Sequence, residues 1–205
     1  MTKSKLTTIT NSKEAVRILR SGGKIRNHLF EGCTFTDLYL KKLRIQDCLF
    51  VRCVFTRVVF ANSTLRAILI DTSAFQEVRF ASGLLEDSSF SDSKLQTCTF
   101  ESIFLEEVEF DGCEIENLKF LYVGLKDIAF PDCTINGIHF RKGRWERVSF
   151  SKASNIEGLT TESVTSKPAR RSDHAYSEPG ELEHQSFSHI PQLACRSEGS
   201  FYGLN

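Results

Sequence analysis

The chain has no net charge, since 26 basic residues balance 26 acidic ones over 205 positions. It therefore lacks the broad electrostatic attraction that a strongly basic protein exerts on nucleic acid, and no direct nucleic-acid contact is expected. No apolar run approaches the 18 or more residues of a membrane-spanning helix, so a transmembrane helix is excluded. Also missing is an N-terminal stretch combining a basic region, a continuous apolar core and a small-residue cleavage site. The seven cysteines are accordingly expected in a reducing, cytoplasmic setting. There is no C-x-x-C, H-E-x-x-H, G-x-S-x-G, G-x-x-x-x-G-K-[ST] or G-x-G-x-x-G. An enzyme is not expected, nor a metal or cofactor.

What the chain does have is a period of five. Every fifth residue from Phe30 to Phe150 is apolar, and these positions take 14 of the 17 phenylalanines. With 40% apolar residues overall, so long an unbroken series has a chance of roughly 10⁻¹⁰, and the period matches neither strand nor helix. A second register of smaller residues lies two places before each of these, beginning Cys33, Leu38, Leu43 and Cys48. Both registers are expected to be buried, with charges on the other three positions.

A longer period of twenty is superimposed. Ile45, Leu65, Leu85, Leu105, Leu125 and Trp145 form one column without phenylalanine, whereas Leu40, Phe60, Phe80, Phe100, Phe120 and Phe140 form another. Cys33, Cys53, Ser73, Ser93, Cys113 and Cys133 form a column of cysteine and serine alone. Four five-residue sides thus make one coil. Stacked cysteines on adjacent coils are expected to be reduced core thiols, because parallel inward side chains explain them by packing.

These residues resemble the pentapeptide-repeat family over about 60% of the chain. The wording departs from the usual A(D/N)LXX: none of the residues just before a central one is Asp or Asn, and acidic and amide residues such as Asp37, Asp47, Asn62, Asp87 and Asn117 stand three places before it instead. The segments FEGCTF and FPDCTI are closer to the phenylalanine-rich members, similar to quinolone-resistance and microcin-immunity proteins. The resemblance implies an all-β solenoid, a right-handed quadrilateral β-helix, here of about six coils over residues 30–155. The absence of a catalytic motif and the stacked surface columns point to a non-catalytic scaffold for protein–protein contacts. The resemblance implies, as the alternative, protection of a type II topoisomerase such as gyrase by DNA mimicry, and it implies pairing of two copies through the C-terminal coil, where Trp145 and Phe150 stand.

The flanks read differently. Residues 1–29 hold a helix predicted over Ser12–Arg20, with Asn11 as N-cap, Glu14 three residues on, Ala15, Ile18 and Leu19 on one face, and Gly22 and Gly23 as its stop. It is expected to plug the first coil. From Ser151 the register collapses, and residues 156–205 read as a flexible tail whose Phe187, Leu193, Phe201 and Tyr202 could dock back on the rod. The start MTKSKLTTITNS supports a further reading, an effector secreted into a host cell.

Candidate interaction residues come from the outward columns. Leu29, Leu49 and Leu69 stack, with Val51 beside them, and Leu84 pairs with Phe104. Glu101, Glu106, Glu107, Glu109, Asp111, Glu114 and Glu116 form an acidic run with no basic residue inside it. Such a run could imitate a nucleic-acid backbone, although the repeat region as a whole is only slightly acidic. The expected partner is a protein of unknown identity.

Overall fold

The computed structural model describes residues 6–150 and 153–167. Among these are fifteen strands in one parallel sheet and the helix α1 (Ser12–Arg20). Strand partners are twenty residues apart, as in Phe60 to Phe80, Phe80 to Phe100, Phe100 to Phe120 and Phe120 to Phe140. One coil is therefore four sides, centred in the first full coil on Phe30, Phe35, Leu40 and Ile45. The molecule is a parallel β-solenoid.

The two buried registers fall where the period of five puts them, because a side too short for a second strand turn must point the same two positions inward every time. The central phenylalanines are 0–4% exposed. Their rings stack along the axis, with centroids 5.1, 4.7, 5.1 and 4.8 Å apart from Phe60 through Phe80, Phe100 and Phe120 to Phe140. That spacing is the inter-strand distance itself.

The corners explain the displaced acidic and amide residues. Every fifth position from Asn27 to Arg147 has φ between +46° and +84°. This left-handed region suits Gly, Asn and Asp best, since their side chains clash least with the following carbonyl or bond locally. Gly32, Asp37, Asp47, Asn62, Asp87, Asp92, Gly112, Asn117, Asp127, Asp132 and Gly137 are all corners.

Within the wall, serines of the small register complete the ladder. Ser73 Oγ accepts from the Cys53 N–H at 3.0 Å and donates to the Asp71 carbonyl at 2.8 Å. Ser93 repeats the contact with the Ser73 N–H at 3.0 Å, and Ser63 with the Leu43 N–H at 3.1 Å. Cys33, Cys48, Cys53, Cys98, Cys113 and Cys133 are buried free thiols. Burial pushes the Cys53 and Cys98 thiols up to about 11.

Both ends extend the path, giving about eight turns instead of the six anticipated. At the start, Thr7–Ile9 pairs with His28–Phe30 and Gly23–Arg26 pairs with Leu43–Gln46. Helix α1 stands where the second and third sides of that coil would be, and buries Ala15 and Leu19 on the core. Asn11 caps it by accepting from the Glu14 N–H at 3.1 Å, and the Ser12 hydroxyl accepts the Thr34 N–H at 2.9 Å, a donor with no strand above it. At the other end the register does not collapse but slips by one residue. Ser154–Lys167 pairs with Thr134–Ser149, shifting between Ser154 and Glu157, so that Ile156, Thr161, Leu159 and Val164 turn inward. Residues 156–167 are thus coil, while the rest of the anticipated tail lies outside the described residues. Trp145 and Phe150 are buried, not exposed on a terminal turn.

Candidate functional site

A solenoid of this kind has flat sides, and its outward columns are set by the twenty-residue register. On the first side Leu29, Leu49 and Leu69 are successive partners, followed by Ser89 and Glu109. Leu29 and Leu49 are half-buried and Leu69 is 41% exposed. Val51 lies on the same side between Glu31 and Asp71. Tyr39 and Val59 are partners on the third side, and Val54 is exposed on the second. Leu84 and Phe104 are partners on the fourth.

The acidic run is not brought together. A stretch of sixteen residues wraps most of one coil, so Glu101 stands on the third side, Glu106 on the fourth, Glu107 at a corner, Glu109 and Asp111 on the first, and Glu114 and Glu116 on the second. Four of the seven are already partnered. Glu101 pairs with Arg79 and Glu106 with Lys126, while Lys94 Nζ reaches Glu114 at 3.1 Å and Gln96 Nε2 donates to Glu116 at 2.9 Å. Among the described residues Glu107, Glu109 and Asp111 have no basic partner in salt-bridge reach. Glu107 hydrogen-bonds the Asp87 carboxyl, and this bond, with the repulsion between the two, raises its pKa.

In the sequence Arg66, Lys126 and Arg147 interrupt the acidic columns, but sequence reasoning missed that such cations pair with carboxylates one coil away. Arg57 binds Asp37 with two bonds of 2.6 and 2.9 Å, Arg66 Nε lies 3.0 Å from Glu86, and Arg147 Nη2 lies 2.6 Å from Asp127. The Arg57 and Arg147 guanidinium groups hold Asp37 and Asp127 below the usual carboxylate range. All three pairs are twenty residues apart, which is the signal that would have found them.

The arrangement left over is a stripe on and beside the first side. It runs down the leucines into a shallow groove lined by Ala67, Leu69, Asp87, Ser89, Glu107 and Glu109. A surface of this kind can bury apolar area and hold a cation beside it. Among the described residues no three His, Cys, Asp or Glu side chains are grouped to hold a metal, and no helix is long and apolar enough to cross a membrane.

A sequence profile described as the pentapeptide repeat region matches residues 24–110 and 85–160, well over half of the chain. The chain belongs to the pentapeptide-repeat family. No curated protein matches this family member by sequence. Among solved structures it is similar to full-length QnrB1, a plasmid-mediated fluoroquinolone resistance protein, at 11% identity and a TM-score of 0.32, covering 71% of this chain and 94% of that one. It is similar to HetL, a pentapeptide-repeat protein involved in heterocyst differentiation regulation from Nostoc sp. strain PCC 7120, at 8% identity and 0.29, covering 76% and 82%. A putative glycosyl hydrolase from Parabacteroides merdae is similar at 11% and 0.35, covering 78% and 92%. At these levels none assigns a partner or a reaction to this pentapeptide-repeat protein.

Proposed function

We propose that this pentapeptide-repeat protein is a non-catalytic interaction scaffold whose first side receives a segment of a partner protein. The observation that carries the reading is the unbroken column Leu29, Leu49 and Leu69, running into the uncompensated carboxylates of Asp87, Glu107 and Glu109. Contiguous outward apolar residues on a rigid wall are more consistent with a contact surface than with a solvated face. The partner segment would carry an apolar stripe followed by a basic residue. The groove on this side is shallow and open to solvent, which suits docking better than the desolvated cleft that catalysis requires.

Topoisomerase protection by DNA mimicry draws less support from the same geometry. A mimic needs phosphate-like charges in a line, whereas the run Glu101–Glu116 encircles the rod and three of its seven carboxylates are paired with Arg79, Lys126 and Lys94.

The test compares the intact protein with Leu49→Arg/Leu69→Arg and with Glu107→Lys/Glu109→Lys, after circular dichroism shows equal melting. Photo-crosslinking from position 89 in a lysate of the source organism should capture one recurrent protein, and both variants should lose it by tenfold or more. Capture that both variants retain in full would overturn the reading, as would turnover of a substrate by the purified protein.

A further inference from the structure

The fourth side carries a second groove, lined by Phe104, Tyr122, Gly124, Lys142, Arg144 and Ser163. It has a built character. The Phe104 ring lies flat along the wall because the next coil offers Gly124, where a Cβ would come within 2.5 Å of the ring. Phe104 is 40% exposed and Tyr122 51% exposed, and Lys142 Nζ sits 5.6 Å above the Tyr122 ring centroid. Around it the cations are spent, Lys126 on Glu106, Arg141 on Glu162 and Arg147 on Asp127. Lys142 and Arg144, by contrast, have no carboxylate in salt-bridge reach among the described residues. The groove therefore offers two aromatic faces beside two uncompensated positive charges.

We propose that the occupant is the chain's own segment Glu178–Phe187, which docks here and covers the groove. Its sequence EPGELEHQSF carries Glu178, Glu181 and Glu183, one phenylalanine, and neither Lys nor Arg. Charge and aromatic content match the groove on both counts. Position matches as well. Lys167, the last described residue, is the backbone partner of Glu146 on the fourth side, two residues beyond the position paired with Arg144, so residues 168–205 begin beside the groove. The eleven steps from Lys167 to Glu178 span up to about 36 Å, against about 15 Å from Ser163 to Phe104 across three coils. The other stretches outside the described residues, 1–5 with Lys3 and Lys5 and 151–152 with Lys152, have the wrong sign. Covalent continuity supplies a high effective concentration, so weak contacts suffice to hold the segment. The docked segment would leave the leucine stripe free and keep Phe104 and Tyr122 from non-specific association.

Zero-length carbodiimide coupling of the full-length protein, followed by isolation of the monomer and peptide mass spectrometry, tests this. The Lys94–Glu114 pair, 3.1 Å apart, is the internal positive control. The expected result is coupling of Lys142 to Glu178, Glu181 or Glu183 within the monomer, unchanged on tenfold dilution and reduced at least fivefold by Phe104→Ser or by 1 M salt. Coupling of Lys142 confined to a dimer fraction would assign the groove to a second copy and overturn the proposal. So would absence of that coupling while Lys94 couples to Glu114. Neither result bears on the leucine stripe, whose variants lie on another side.

Discussion

The corners set the conformational cost of this wall residue by residue. Each of the 25 corner positions from Asn27 to Arg147 is left-handed, yet only some carry the residues that suit it. Thr97 is β-branched and sits at φ +54°. Because a left-handed non-glycine costs about 1–2 kcal/mol and Asn lowers that penalty without loosening the unfolded chain, Thr97→Asn should stabilise by about 1 kcal/mol, read as a higher urea midpoint. An unchanged or lower midpoint would mean that the corner is not under strain. Cysteine at small-register positions makes a second prediction. Cys53 and Cys98 are held at about 11 by burial, against about 9 for a free thiol. Between those values the unfolded chain has released protons that the native chain still holds, so stability falls as pH rises from 9 to 11 and its contribution is complete below 9. Urea midpoints taken at intervals from pH 8 to 10.5 should decline, and Cys53→Ser, which copies its column neighbour Ser73, should flatten the decline. A variant with the same slope would place the titration elsewhere.

Each side behaves as a stack whose members support one another along the axis. On the third side Phe100 lies between Phe80 and Phe120 at 4.7 and 5.1 Å and meets Phe110 edge-on across the interior. Truncating it leaves a void that the flanking rings cannot close, since each is fixed by its own strand. Phe100→Ala should therefore cost about 3–5 kcal/mol in urea unfolding, and a cost under 1 kcal/mol would mean that the stack collapses into the gap. Backbone approach sets a second limit on the fourth side. A Cβ added at Gly83 would lie 2.1 Å from the Ser63 carbonyl oxygen, so Gly83→Ala must push two strands apart. Its melting temperature should drop by several degrees, whereas Ser102→Ala, at an exposed corner one coil along, should change it little.

For the molecule as a whole, the period of twenty was the legible part. It placed the ring columns and the cysteine–serine column, and helix α1 followed from Asn11, Glu14 and the twin glycines. Chain proximity misled where the coil matters more than the order, as the acidic run Glu101–Glu116 is spread around four sides and its partners lie a full turn away. The strand Ser154–Lys167 was hidden because a one-residue slip puts Thr161, not a phenylalanine, beneath Phe140. That substitution also leaves a local deficit in the last described coil. Thr161 Oγ1 and Trp145 Nε1 are both buried without a hydrogen-bond partner among the described residues, and unpaired buried polar atoms cost free energy that the inner coils do not bear. In a solenoid each coil contacts only its neighbours, so such a deficit acts locally and this coil should open before the centre. Trp145 is the chain's one tryptophan, stands one coil before Thr161 with Ser166 as its backbone partner, and so reports on this region of the rod. Its emission should shift to the red at a lower urea concentration than the loss of far-ultraviolet circular dichroism, and replacing Thr161 with Val should bring the two transitions together. Coincident transitions in the unmodified protein would instead make the rod a single cooperative unit, with the C-terminal coil as firmly held as the phenylalanine stack.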